Sequence, residues 1–132
     1  MGNNPSVEIK HIYKEHRPWG SFENLLDTDY CKVKRIIVKP GQRLSYQYHH
    51  ERTEHWVIVQ GEAVVTLDDE EYEYHIGDVV EIPVTTKHRV ENKFNKDLIF
   101  IETQTGTYFG EDDIVRIEDD YGRNKNENKT SK

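Results

Sequence analysis

From about residue 30 onward the chain breaks into short segments rich in β-branched and aromatic residues, with a turn signal roughly every 8–12 residues. CKVKRIIVK stops at Pro40-Gly41, EHWVIVQ at Gly61, and EAVVTL and YEYHI flank the acidic turn DDEE. DVVEIP follows Gly77, HRVEN follows a polar turn, and DLIFIETQ runs to Gly106. No convincing amphipathic helix interrupts this series, so the pattern predicts an all-β sandwich or barrel. RIIV and VIV are apolar on both faces, which suits a closed or two-layered sheet. The first 25 or so residues are less regular: VEIKHIYKE reads as a strand, and HRPWGSFENLL as an ordered loop or short edge strand. A length of 132 residues supports one core and one domain. Residues 1–29 are expected to be a partly ordered N-terminal segment packing on the barrel, 30–123 the barrel itself, and 124–132 a disordered polar tail.

Several function classes are disfavoured at this level. No apolar stretch approaches the ~20 residues of a membrane-spanning helix, and no signal-peptide pattern opens the sequence. The single cysteine, Cys31, has no internal partner for a disulfide. The expectation is a reducing, cytoplasmic setting with Cys31 as a packed residue rather than a nucleophile. A net charge of −7 argues against nucleic acid, which needs a concentrated basic face. A small anionic ligand stays compatible, because local arginines outweigh the global sign.

The stretch SYQYHHERTEHWVIVQG, Ser45 to Gly61, runs imidazoles and carboxylates straight into an apolar strand. Burying such groups is costly unless they are paired, and a metal ion is an economical partner. Alternate side chains of a strand share a face, so Gln47 and His49 point one way, Tyr48 and His50 the other. By the same parity Glu54, Trp56 and Ile58 share a face and His55 looks away. If both faces look inward, Gln47, His49 and Glu54 meet in one pocket, and His88 follows a turn that brings it alongside. Two imidazoles, a carboxylate and an amide oxygen suit one divalent ion, with zinc expected and cobalt, manganese, iron or nickel as alternatives, and they leave positions open for a ligand. His50 and His55 are assigned to the outside or to supporting roles.

Gly41–Gly61 resembles the first cupin motif, with a glycine, paired ligands two residues apart, then a glutamate and a closing glycine. Gln47 stands where most cupins have their first histidine. The segment from Gly77 to Asn92 is similar to the second cupin motif through Pro83, His88 and Asn92, with Thr85 in place of the usual glycine. More closely, RPWGSFE, VKRIIVKPGQRLSYQYHHERTEHWVIVQGEA, IPVTTKHRVEN and IETQTGTYFGEDDIVRIEDDYGR resemble the cupin domain of type II mannose-6-phosphate isomerases. In many bacteria that domain lies behind a mannose-1-phosphate guanylyltransferase. The likeness spans roughly residues 14 to 123, and glutamine for the first histidine is typical of phosphomannose isomerases. It implies a jelly-roll β-barrel with an internal metal and interconversion of mannose 6-phosphate and fructose 6-phosphate. No glycine-rich nucleotide loop lies near the N-terminus, so nucleotide-sugar synthesis is not expected of this chain.

Aldose–ketose isomerisation needs an electrophile for the charge developing on two oxygens, a base to shuttle a proton, and a cation to hold the phosphate. The candidate phosphate cations are Arg43, Arg52, Lys87, Arg89 and Arg116, with Arg52 and Arg116 preferred because a guanidinium grips phosphate in a fork. The alternative is that each pairs with a nearby acid. Glu102 shares a face with Leu98, Phe100 and Gln104, which aims it into the cavity as a candidate base, though a structural hydrogen-bonding role fits equally. RPWG is expected to pack Trp19 over the barrel mouth, as a core tryptophan in preference to an aromatic lid against sugar. EDDIVRIEDD lacks the spacing and glycine of a calcium loop and reads as arginine-pairing surface. Two rival functions stay open: an iron-dependent oxygenase built on His49, His88 and Glu54, and a non-catalytic sugar-binding cupin. A homodimer through edge strands is expected, with a phosphosugar as the small-molecule partner.

Overall fold

The computed structural model describes residues 13–122; the expected polar tail at 124–132 and the first twelve residues lie outside them. In chain order the strands are β1 (Tyr13–Arg17), β2 (Gly20–Asp27), β3 (Lys32–Val38), β4 (Tyr46–His49), β5 (Arg52–Gln60) and β6 (Ala63–Leu67). They continue with β7 (Glu70–Tyr74), β8 (Val79–Ile82), β9 (His88–Glu91), β10 (Leu98–Gly106) and β11 (Ile114–Glu118). One 3-10 turn, Glu111–Asp113, precedes β11. The strands form two antiparallel sheets, ordered β1-β2-β3-β10-β5-β8 and β11-β4-β9-β6-β7. Among the described residues no helix is long and apolar enough to cross a membrane.

The all-β expectation holds. The N-terminal region contributes more sheet than its pattern suggested: Gly20–Asp27 is a full strand between β1 and β3 rather than a loop or an edge. Its apolar signal is weak because Ser21 and Glu23 are buried there, with Glu23 ion-paired to Arg35 across the β2–β3 ladder.

The two sheets close over one core that draws on both, including Ile36, Ile58 and Phe100 from the first and Ala63, Val65 and Val90 from the second. Trp56 stacks on Phe100 with ring centroids 4.5 Å apart. Trp19 is buried in this cluster, as expected.

The inward faces of β3, β10 and β5 carry a gradient. Phe100 pairs in register with Ile36 on one side and Ile58 on the other, so the deepest row is apolar. The next row is Lys34–Glu102–Trp56, and beyond it Gln104 pairs with Glu54. The period-2 alternation that builds the strands thus also turns polar at one end of the barrel. That end is the cavity.

Two-residue turns fix the neighbouring loops. Asp68 and Asp69 both adopt positive φ in the β6–β7 hairpin, as a type I′ turn requires. Asp68 then accepts from the Lys87 backbone N–H at 3.0 Å, which clamps the loop leading into β9.

Candidate active site

The structure places Gln47, His49, Glu54 and His88 at the polar end of the barrel. His49 ends β4, Glu54 lies early in β5, and His88 opens β9, each about 2% exposed. Gln47 is paired in register with His88 and lines the same cavity. Ligand atoms of His49, Glu54 and His88 lie within 4.8 Å of one another. Gln47 presents its amide beside them, its Oε1 accepting from Ser45 Oγ at 2.6 Å.

The local structure orients each of the three. His88 Nδ1 lies 2.9 Å from the Thr86 carbonyl oxygen. That contact requires the proton on Nδ1 and leaves the Nε2 lone pair facing inward. The preceding turn is held by the Thr85 N–H donating to the His49 carbonyl at 2.7 Å, which ties the two histidines together. Glu54 is gripped at both oxygens: Trp56 Nε1 donates to Oε1 and Arg52 Nε to Oε2, each at 2.9 Å.

Protonation follows from these surroundings. Burial alone would push Glu54 upward, but His88, Arg52, His49 and the Trp56 hydrogen bond outweigh it and bring its pKa to about 2. Burial brings His49 down to about 4, and it lowers His88 too. At neutral pH the set is therefore one carboxylate and two neutral imidazoles, the protonation states that bind a cation.

The Nε2 atoms of His49 and His88 are buried without a hydrogen-bond partner among the described residues. The Glu54 oxygens stand 3.7 Å from His49 Nδ1 and 4.0 Å from His88 Nε2, beyond hydrogen-bond reach. A buried ring nitrogen without a partner is costly, and a divalent ion can take its lone pair. The donor set of nitrogen, carboxylate and amide oxygen fits such an ion.

Around this cluster the cavity is lined by charge. Of the residues singled out in the sequence, Arg52, Glu102, Arg89 and Arg116 reach it. Glu102 is 4% exposed and accepts from Gln104 Nε2 at 2.6 Å. Burial, reinforced by the Glu54 charge, raises its pKa to about 7, only partly offset by Lys34 and Arg52.

Arg43 and Lys87 do not line the cavity. The Arg43 guanidinium forks onto Asp120 at 2.8 and 2.9 Å on the surface, and Lys87 Nζ reaches Asp69 at 3.3 Å. Both are paired by acids that the linear sequence holds at a distance, so the phosphate-binding role assigned to them is not supported by their position. Arg89 is occupied too, donating to the Leu44 carbonyl and to Glu118. His50 is exposed and His55 half-buried, each on the outward face.

Arg17, Lys34 and Glu111 also line the cavity and escaped the sequence reading. Lys34 is 6% exposed, and the alternation Lys34, Ile36, Val38 was the signal for it. Glu111 arrives from the short 3-10 turn, where no periodicity marks it.

Residues 4–119 match the protein family described as Mannose-6-phosphate isomerase C-terminal. The chain belongs to this family. Among curated relatives it is 41% identical over 131 residues to the alginate biosynthesis protein AlgA of Pseudomonas aeruginosa, covering 88% of this chain and 27% of that protein. It is 46% identical over 122 residues to the mannose-1-phosphate guanylyltransferase of Salmonella montevideo, covering 89% and 26%. The chain thus spans about a quarter of the length of these relatives. Among solved structures, the capsular polysaccharide assembling protein CapF of Staphylococcus aureus superposes with a TM-score of 0.71 at 28% identity, over 86% of this chain and 36% of that one. The cupin domain of Schizosaccharomyces pombe Cnp3 gives a TM-score of 0.63 at 14% identity, over 65% and 64%, and shows the fold alone. This member of the isomerase C-terminal family therefore has the cupin fold, the jelly-roll architecture the resemblance implied.

Proposed function

We propose that this chain is a metal-dependent aldose–ketose isomerase that interconverts mannose 6-phosphate and fructose 6-phosphate. One observation carries the reading: a buried cluster of His49, Glu54 and His88 with orphaned imidazole nitrogens shares a cavity with Glu102, whose pKa is about 7, in a chain of this family. His49, Glu54 and His88, with Gln47 beside them, would hold a divalent ion. When bound, the ion supplies positive charge toward the two substrate oxygens that become an enediolate.

The remaining work falls to the chain. Glu102 takes the proton from the carbon next to the carbonyl, as the C–H bond breaks, and returns it to the former carbonyl carbon, while the hydroxyl proton passes from one substrate oxygen to the other. A carboxylate with a pKa near 7 is suited to both halves of that transfer. Arg52, held by Glu54, and Arg116 at the cavity wall bind the anionic end of the substrate, so that binding energy remote from the reacting carbons fixes orientation. Trp19 and Trp56 close the apolar floor and limit water.

The test is a coupled assay of mannose 6-phosphate against fructose 6-phosphate with zinc, cobalt or manganese supplied. Turnover that Glu102→Gln lowers by about 10²–10⁴-fold in kcat, with metal content unchanged, is the expected result. Arg52→Ala and Arg116→Ala should raise KM for the phosphosugar. No turnover with any metal overturns the isomerase reading, and oxygen uptake on another substrate would then favour the oxygenase that the two-histidine, one-carboxylate cluster also resembles.

A further inference from the structure

Lys34 and Arg52 are deeply buried cations, with side chains 8% and 3% exposed. They project into the cavity from β3 and β5, on opposite sides of β10. Neither can reach bulk water, so each needs an anion inside the cavity. Glu54 answers Arg52 at Nε. Glu102 acts on both cations through space, and the second anion in direct contact is Glu111, whose Oε2 stands 3.1 Å from Lys34 Nζ and 3.7 Å from Arg52 Nη1. That second distance is too long for a hydrogen bond, and Arg52 Nη1 is buried without a hydrogen-bond partner among the described residues. A single carboxylate oxygen therefore sits between two cations and satisfies only one.

Glu111 differs from the pair it bridges. Its side chain is 52% exposed, open to solvent on the side away from Lys34. Its backbone is anchored separately: Asp113 accepts from the His50 and Glu51 N–H groups at 3.1 and 3.0 Å, and Tyr108 donates to Asp112 at 2.5 Å. The carboxylate is thus free to rotate out while the turn that carries it stays fixed.

We propose that Lys34 and Arg52 form a binding site for a phosphate-class anion, and that Glu111 is a built-in stand-in for that anion, which the ligand displaces by side-chain rotation. A phosphate offers three oxygens where Glu111 places one, so it reaches Lys34 Nζ and the unsatisfied Arg52 Nη1 at once. Glu111 sets selectivity. It keeps the two cations neutralised in the empty cavity and cedes only to an anion of higher charge and more acceptors. The site deepens the phosphosugar reading by adding Lys34 to Arg52 among the cations that take the phosphate, yet the capture of an anion stands without isomerase activity.

The test is calorimetric titration of the full chain with inorganic phosphate. Glu111→Gln removes the competing charge while keeping the shape, and should tighten phosphate binding by about tenfold. Lys34→Met should weaken it by at least about tenfold, with Lys34→Arg restoring most of the loss. Glu81→Gln, on an exposed acid paired with His55, should match the unsubstituted chain. A Glu111→Gln affinity within about twofold of the unsubstituted chain overturns the proposal even if Lys34→Met fails to fold. Mannose 6-phosphate turnover measured on the same samples separates the two readings. The predicted phosphate pattern without turnover keeps the anion site and removes the isomerase, whereas turnover with an unresponsive Glu111→Gln does the reverse.

Discussion

Glu102 is buried beside the Glu54 charge and has no cation in hydrogen-bonding contact, which makes it the cavity's least stable ionised group. The sign of its effect on folding follows. In the folded chain its pKa is about 7, against 4.5 for the unperturbed group. Between those values the folded state holds a proton that the unfolded state has released, so stability falls as pH rises through the window. Below it both states are protonated and nothing is lost; above it the full cost is present. Glu102→Gln is neutral throughout. In chelator-treated protein it should be as stable as the unsubstituted chain near pH 4.5 and more stable at pH 8, by up to about 3 kcal/mol. Denaturant titrations of both chains at several pH values check this, and a gap that does not grow with pH would refute it. At this scale strand parity made His49, Glu54 and Glu102 legible, because a two-residue period decides which side chains face inward, and the turn before His88 marked that residue. Parity is silent about partners. The Arg43–Asp120 pair joins residues far apart in sequence, which is why Arg43 looked available and is not.

Among the elements, the loop from Pro83 to His88 departs most from comfortable backbone. Thr85 has φ of 65°, in the left-handed region, at the position where the related motif carries glycine. A β-branched residue there costs roughly 1–2 kcal/mol, and its hydroxyl recovers part of that by donating to the Val84 carbonyl at 2.5 Å. The side chain is exposed and packs against nothing that a glycine would forfeit. Thr85→Gly should therefore stabilise the chain by about 0.5–1 kcal/mol, read as a higher melting temperature, without changing metal stoichiometry. The opposite case is Gly106, at φ of 144°, where β10 passes β5. A Cβ there would lie 2.2 Å from the Glu51 carbonyl oxygen and 3.0 Å from Arg52 Cα. Gly106→Ala should cost about 2 kcal/mol or more and displace Arg52, so a variant that melts with the unsubstituted chain and binds ligand normally would show that the strands can separate. The departure at Thr85 was visible from the motif, whereas β2 was not, since its buried Ser21 and Glu23 break the apolar rhythm by which a strand is read.

For the whole molecule, the gradient across the inner faces of β3, β10 and β5 assigns stability to one end and chemistry to the other. The apolar rows around Phe100 form a continuous core, so the barrel is expected to fold without a metal. The polar rows above carry Lys34, Arg52, Glu54, Glu102 and two neutral histidines, each side chain largely buried at the cavity wall. A ligand that binds only the folded chain adds stability in proportion to the logarithm of its concentration over Kd. Zinc at about one hundred times its Kd should therefore stabilise the protein by about 2.7 kcal/mol, and a chelator should remove that gain without unfolding the chain. Glu54→Gln preserves volume and one acceptor for Arg52 or Trp56, but removes the carboxylate that the two histidines face. It should melt as a single folded species at a temperature that zinc no longer raises, with less than one bound ion per chain by elemental analysis. An equal zinc-induced rise in both proteins would mean that the ion binds elsewhere. The other close grouping of ligand atoms among the described residues, Glu62, Glu73 and His75, lies toward the surface, where His75 stands 3.1 Å from Glu62, and its removal should leave the zinc response intact.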